Sequence, residues 1–350
     1  MVLSYYVIRL FYPALWHLHR LLRRRTLVVL YCDDPFDLAL FENVGKHLKK
    51  IPVVAKNRKV KQKLEERGCF GALLMPVFPD GVIMFRNMAW KFPCSRIVKI
   101  GFEHGAYNFK RFSKAQYYNM FTVFFMTSRH DVERLRRHGV IKAEAVGFPK
   151  IDGAFDGSIT KDQREEISAG LKLDPEKKTL LFSATWDGSG MSAVHLWYDR
   201  IGELADTYNV LVTLHPWVSD SYRTALRGDD RVHFIEDDVL LPYIMVADVC
   251  IGDTNSLIAE FCLLDKPIIT FRCAATARTL ADVVELIEKV SLRIDRFEEV
   301  APAVSDLIAN PARHNAARRE ATAIFFDAPD GCSGKRAARR IIELIPQMAP

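Results

Sequence analysis

The chain lacks the short signatures that most readily assign an α/β protein to a chemistry. It has no G-x-G-x-x-G dinucleotide fingerprint and no G-x-x-x-x-G-K-[ST] loop, which argues against an ordinary nicotinamide enzyme and against a P-loop NTPase. Its seven cysteines, at 32, 69, 94, 250, 262, 273 and 332, include no C-x-x-C pair and no zinc-ligand spacing. Free thiols packed as small core residues, in a reducing cytoplasm, are expected instead. No run of about 18 uninterrupted apolar residues occurs near the start, because Arg9 breaks the first apolar stretch. Nor does that stretch suit a cleaved leader, since its positive charges follow the apolar part. Short internal repeats and low-complexity linkers are also missing.

What remains is an ordinary globular composition. The 350 residues, 49% apolar and 26% charged, suit two domains. The net charge of +6 is unevenly placed: His17, His19, Arg20, Arg23, Arg24 and Arg25 cluster near the start, and Lys335, Arg336, Arg339 and Arg340 near the end. A membrane surface explains the first cluster better than nucleic acid, and no nucleic-acid partner is expected. At about 100° per residue, Leu3, Val7, Ile8, Leu10, Phe11, Ala14, Leu15, Leu18, Leu21 and Leu22 fall on one side of a helix, with Arg9, Arg20, Arg23 and Arg24 on the other. Residues 1–25 therefore read as an amphipathic helix lying in the membrane interface, with Tyr5, Tyr6, Tyr12 and Trp16 in the headgroup zone. Packing of this helix on its own domain is the alternative. Pro13 would kink it or start a second helix.

From residue 26 onward, apolar strands alternate with helical segments, the pattern of parallel α/β domains. Strands are expected at 27–31, 52–55, 72–75, 82–85, 97–100, 122–126 and 143–146, with helices at 36–49, 60–67 and 129–138. A second run follows a charged helix at 161–170. Its strands are expected at 179–183, 210–213, 232–235, 249–251 and 268–271, with helices at 192–208, 222–227, 240–245 and 256–264. This divides the chain into the helix at 1–25, Rossmann-like domains at 26–157 and 158–329, and a closing helical segment at 330–350. In open sheets of this kind ligands bind beyond the carboxyl ends of the strands, where the unusual polar residues of this chain also fall.

The segment 247–271 has the form strand, polar turn, helix, turn, strand. Asp253, Thr254, Asn255 and Ser256 are helix-capping types at a helix start, where free N–H groups and the helix dipole attract anions. Simple capping accounts for the same residues equally well. His104, followed by Gly105 at the end of one expected strand, can approach a ligand closely and exchange protons near neutral pH. His215, stopped by Pro216, sits at the end of another. Thr185 and Trp186 follow a third, within Ala-Thr-Trp-Asp-Gly-Ser-Gly. No metal-ligand cluster is visible.

These motifs, in this order, resemble the CDP-glycerol glycerophosphotransferase family of teichoic-acid and related polymer enzymes. Glu103-His104-Gly105 resembles the family's Trp-His-Gly, Gly147-Phe148-Pro149-Lys150-Ile151-Asp152 its Gly-x-Pro-Arg-x-Asp, and Ala184-Thr185-Trp186 its Pro-Thr-Trp. Leu214-His215-Pro216 is similar to its His-Pro step. Residues 251–267, with Glu260 and Lys266-Pro267, resemble Ile-Thr-Asp-Tyr-Ser-Ser, a following acidic residue and Lys-Pro-Ile. Asp330-Gly331 and Arg336 extend the resemblance, which covers residues 97–341.

The resemblance implies a glycosyltransferase-B type fold: two Rossmann-like domains facing across a cleft, with 26–157 on the acceptor side and the nucleotide donor held mostly by 158–329. It implies transfer of an alditol phosphate from a CDP-linked donor to an acceptor hydroxyl, releasing CMP; taken with the amphipathic start, the expectation is a peripheral transferase at the cytoplasmic face of the membrane acting on a lipid-linked or glycan acceptor. His104 would be the general base and His215 would meet the donor pyrophosphate. Asp253, Thr254, Asn255 and Ser256 would form the phosphate-binding turn, with Glu260 and Thr185 as further donor contacts and Gly105, Gly147, Pro149, Lys150 and Asp152 in support. No permanently bound cofactor is expected, with room for a magnesium ion carried in by the donor. The departures are Glu103 for tryptophan, Thr254 for tyrosine, Asn255 for serine, and Asp187 where a basic residue often follows Thr-Trp. Losing that positive charge suits a less phosphorylated acceptor. Two other readings stand beside this one: a sugar transferase or epimerase of the same architecture using a UDP- or GDP-sugar, and a non-catalytic membrane-associated binding protein.

Overall fold

The computed structural model describes residues 3–107, 109, 112–237 and 239–350, with side chains from residue 9 onward. The chain packs as two compact units. The first holds residues 1–104, 112–152 and 326–350; the second holds 105–111 and 153–325. The crossing thus falls at 152/153 rather than 157/158, and the closing segment is part of the first unit rather than a separate piece.

The first unit begins with helix α1 (Leu3–Leu22), which continues through Pro13. Then follow β1 (Val28–Cys32), α2 (Phe36–Gly45), β2 (Val53–Ala55), α3 (Arg58–Glu66), β3 (Leu73–Leu74), β4 (Gly81–Met84), β5 (Val98–Phe102), α4 (Ala115–Tyr118), β6 (Val123–Met126), α5 (Arg129–Arg137) and β7 (Ala143–Ala145). All seven strands pair in parallel in the order β3-β2-β1-β4-β5-β6-β7. Two-residue periodicity sends alternate side chains to opposite faces. Val28, Leu30 and Cys32 of β1 join a core with Leu40, Val44, Ala337, Ile341 and Met348. Val29 and Tyr31 join another with Tyr12, Trp16, Val82, Phe92 and Phe124.

Helix α1 departs from its expected role at two positions. Tyr12 and Trp16 are buried, not set in a headgroup zone. Burying an indole or phenol is favourable when its polar atom finds a partner; here Trp16 Nε1–H donates to the Pro79 carbonyl at 2.6 Å and Tyr12 Oη to Val77 at 2.5 Å. Arg20 and Arg23 pair with Asp80 beneath the same face. Leu10, Phe11, Leu15, Leu18, Leu21 and Leu22 stay exposed, Leu21 at 85%. The side chains of Leu3, Tyr5, Tyr6, Val7 and Ile8, counted on in the amphipathic pattern, lie outside the described residues. No helix among the described residues is long and apolar enough to cross a membrane.

The second unit contains α6 (Lys161–Gly170), β8 (Thr179–Ala184), β9 (Asn209–Leu214), α7 (Asp220–Arg227), β10 (His233–Phe234), α8 (Leu241–Val246), β11 (Val249–Gly252), α9 (Leu257–Leu263), β12 (Ile268–Phe271), α10 (Ala281–Val290), β13 (Leu292–Ile294), α11 (Val300–Ala309) and α12 (Asn315–Phe325). Its parallel sheet has the order β10-β9-β8-β11-β12-β13. The helix expected over 192–208 is instead two 3₁₀ turns, Val194–Leu196 and Ile201–Leu204. Val194, Trp197, Ile201 and Leu204 are all buried against the sheet, and their three-to-four spacing serves either kind of turn. Gly202 lies where any side chain would overlap Asp229 and Arg231.

Helix α13 (Ser333–Leu344) returns to the first unit and packs on α2. Its amino end is held by Asp152, whose carboxylate accepts from Ser333 N at 3.1 Å and Gly334 N at 2.7 Å. Arg336 donates to the Val146 carbonyl at 3.1 Å, and Asn43 to that of Pro149 at 2.7 Å.

Candidate functional site

In each sheet the strand order turns at one place: between β1 and β4 in the first, between β8 and β11 in the second. Such switch points, at the carboxyl ends of the strands, are where open α/β sheets bind ligands.

In the second unit the switch point is built around Asp253. Its carboxylate is fully buried and accepts from the backbone N–H of Thr185 at 3.0 Å, Ala193 at 3.1 Å and Thr254 at 2.5 Å. Burial pushes its carboxyl above the usual range, and those N–H groups pull the other way. Asp253 therefore ties the β8 and β11 loops together and is spent on that task. Thr254 continues the tie, donating to the Met191 carbonyl at 3.2 Å and facing Thr185 Oγ1 at 3.3 Å. Asn255 donates to Ser183 O at 3.2 Å, and its Oδ1 accepts from Leu257 N at 3.1 Å. Ser256 makes no capping bond with its side chain. Glu260 is buried within α9. Of the polar turn's side chains, that of Ser256 is the one not drawn into this bonding among the described residues, while the Leu257 N–H beside it is already taken by Asn255. Gly105, which packs in this unit, comes close: a Cβ built on it would lie 3.6 Å from Ser256 Oγ.

His215 follows β9, next to β8. Its Nδ1 accepts from Trp217 N at 3.1 Å, which leaves Nε2 as the protonated nitrogen of the neutral ring. The loop is braced twice: Arg223 donates to the His215 carbonyl at 2.5 Å, and Asp187 accepts from Ser219 N at 2.9 Å and Oγ at 2.5 Å. Asp187 is thus occupied by Ser219. Burial favours its neutral form, but the Ser219 bonds prevail and hold its carboxyl below the usual range. Trp186 and the exposed Trp217 meet edge to face at 5.8 Å.

In the first unit His104 follows β5. Its ring is exposed, and Nδ1 lies 3.0 Å from Glu103 Oε1, which also accepts from His104 N at 3.1 Å. A carboxylate on Nδ1 fixes the tautomer and leaves Nε2 as the basic atom. Adjacent residues in a strand point to opposite faces, so this pairing is not implied by sequence; it forms because β5 has already ended at Phe102. Gly147, Pro149 and Asp152 serve the closure onto α13, and Lys150 is half-buried beside them. Gly147 has φ +87° and leaves no room for a side chain beside Ser333 and Arg336. Among the described residues no three His, Cys, Asp or Glu side chains converge as metal ligands.

Residues 97–345 match the family model described as CDP-glycerol:poly(glycerophosphate) glycerophosphotransferase. The chain is 27% identical over 215 residues to a teichoic acid poly(ribitol-phosphate) polymerase of Bacillus spizizenii, covering 57% of this chain and 33% of that one. It is 26% identical over 129 residues to a teichoic acid glycerol-phosphate primase of Bacillus subtilis, covering 36% and 32%. It spans about a third of the length of the curated relatives it matches. In fold it is similar to the wall teichoic acid polymerase TagF, with a TM-score of 0.67 at 14% identity over 97% of this chain and 94% of that one. A UDP-GlcNAc 2-epimerase from Neisseria meningitidis gives 0.60 at 15% identity, over 91% and 99%.

Proposed function

The chain belongs to the CDP-glycerol:poly(glycerophosphate) glycerophosphotransferase family, and from that membership we propose that it moves a glycerol-phosphate-like group from a CDP-linked donor to a hydroxyl of a lipid-linked or glycan acceptor in cell-envelope polymer synthesis. The acceptor oxygen attacks the phosphorus that bears the alditol, the bond from that phosphorus to the CMP oxygen breaks, and CMP leaves. His104 Nε2 takes the acceptor proton. His215 Nε2–H donates to the charge that develops on the departing CMP. The Ser256 turn holds the donor phosphates, and a magnesium ion, where used, comes in with them. Phosphoryl transfer asks chiefly for position and charge neutralisation, which these groups supply without a covalent intermediate.

The observation that carries this reading is the Glu103–His104 pair at the end of β5, a base with its tautomer fixed, in a chain of this family. A catalytic use explains why an exposed ring keeps a carboxylate on Nδ1. We further propose that the exposed leucine stripe of α1, edged by Arg9, Arg24 and Arg25, rests on the cytoplasmic face of a membrane and brings the active site to lipid-linked substrate.

Purified protein incubated with CDP-glycerol, CDP-ribitol and lipid-linked saccharide acceptors should release CMP. His104→Ala and His215→Ala should each lower the rate by at least about a hundredfold. No CMP from any CDP-alditol overturns the proposal, and turnover of a UDP- or GDP-sugar in its place would make the chain a sugar transferase or epimerase.

A further inference from the structure

The switch point of the first sheet carries a charged cluster that the motifs above do not include. Asp33 follows β1, Lys56 follows β2, and Arg86 and Asn87 follow β4. Asp33 Oδ2 lies 3.0 Å from Lys56 Nζ, and Oδ1 lies 3.2 Å from Tyr31 Oη and 3.4 Å from Lys91 Nζ. Lys91 also donates to Tyr31 Oη and lies over the Tyr31 and Trp90 rings. Beneath, buried Asp37 accepts from Asp33 N at 2.8 Å and Asp34 N at 3.1 Å and pairs with Arg86 at 3.3 Å. The loop is therefore rigid, with its backbone donors used and its outer charges at the surface of the unit: the Asp33 side chain is 11% exposed, Lys91 16% and Lys56 41%. Asn87 Oδ1 is buried and has no hydrogen-bond partner among the described residues.

Three carboxylates (Asp33, Asp34, Asp37) meet three cations (Lys56, Lys91, Arg86), so the cluster is neutral overall while rich in strong donors and acceptors. An anionic ligand would call for excess positive charge. Hydroxyl groups, which donate and accept at once, suit alternating carboxylate and ammonium groups beside an aromatic surface. The cluster lies on the same sheet edge as His104: β1 and β5 are separated only by β4, two strand spacings or roughly 10 Å.

We propose that this edge binds the uncharged saccharide or polyol portion of the acceptor: Asp33 accepts from its hydroxyls, Lys56 and Lys91 donate to them, Trp90 adds apolar surface, and the reacting hydroxyl reaches His104. The inference rests on the transfer reading for the last step only; binding of a neutral, hydroxyl-rich ligand stands without it.

Direct binding tests it, on the whole chain, with an array of neutral mono- and disaccharides, glycerol and ribitol, and their phosphorylated counterparts. Wild type should bind neutral probes. Asp33→Asn and Lys91→Met should weaken that binding at least about tenfold, as expected for removing a charged hydrogen-bonding partner. Lys56→Met, at an exposed position outside the core, should weaken it at least about threefold and serves if either other variant fails to fold. Absence of neutral-probe binding, binding of phosphorylated probes alone, or variants that bind like wild type would each overturn the inference. CMP release is measured beside it. Binding that behaves as described with no CMP release leaves the subsite in place and removes the transfer reading; CMP release with variants that bind like wild type does the reverse.

Discussion

Replacing Asp253 with alanine leaves the N–H groups of Thr185, Ala193 and Thr254 without their acceptor in a fully buried place. Unfolding by urea should show a loss of about 3 kcal/mol, with Asp253→Asn, which keeps one oxygen, losing less. A change below about 1 kcal/mol would mean the loops do not depend on it. Glu103→Gln tests the other half-hidden residue: without the carboxylate on Nδ1, kcat should fall about tenfold with little change in the KM for the CDP donor. A third test concerns Lys266, whose Nζ donates to the carbonyls of Ile244 at 3.0 Å, Met245 at 2.6 Å and Ala247 at the end of α8. Burial pushes its pKa down to about 8, against the attraction of Asp248. Between pH 8 and the ordinary 10.5 the unfolded chain holds this proton and the folded chain does not, so stability rises with pH across that window. Wild type measured against Lys266→Met should gain stability from pH 8 to 10, and a flat difference would refute the assignment. At this scale, residue type marked the two histidines and the polar turn, because strand ends and capping residues are local features. It did not separate ligand contact from scaffold, since whether Asp253 faces a phosphate or three N–H groups depends on loops from β8 and β11 that meet only in the fold.

Helix α1 carries two faces with opposite demands. Trp16→Ala should cost about 3 kcal/mol, because it empties a core position and leaves the Pro79 carbonyl without its donor. The double change Leu18→Glu, Leu21→Glu should alter stability by no more than about 0.5 kcal/mol, yet abolish flotation with vesicles containing anionic lipid; flotation unchanged would remove the membrane role. Helical periodicity placed a helix here but did not show that its aromatic residues point inward, since Tyr12 and Trp16 suit an interface and a core equally. Strands with apolar runs of four or more were legible to within about two residues. Strand β13, three residues long, and helices α10 to α12, whose buried residues include Val283, Ile287 and Val290, fell in a stretch where no motif fixed the register. The 3₁₀ turns after Val194 show the limit of spacing alone. Helix α13 gives a sharper case: Gly334→Ala would overlap the Asn43 carbonyl and should lower stability by about 1–3 kcal/mol.

At the scale of the whole molecule, a nucleotide held by one unit should stabilise that unit by mass action. CMP or CDP at a hundred times its Kd should contribute about 2.7 kcal/mol and raise Tm, while UDP at the same concentration should raise it less. An equal response to CDP and UDP would count against a CDP-linked donor. That both sheets are parallel was legible, because each run of strands and helices repeats the same alternation; the strand order within them was not. That the last helix belongs with the first sheet was not, since its partners Asn43, Asp152 and Val146 are far away in sequence. That return sets an order on biosynthesis. Residues 153–325 leave the ribosome as a nearly complete unit before Ala337, Ile341, Ile345 and Met348 exist to cover the face of β1 and α2. The unit made first is the one finished last, and in that interval its uncovered apolar face is the surface a chaperone would have to shield.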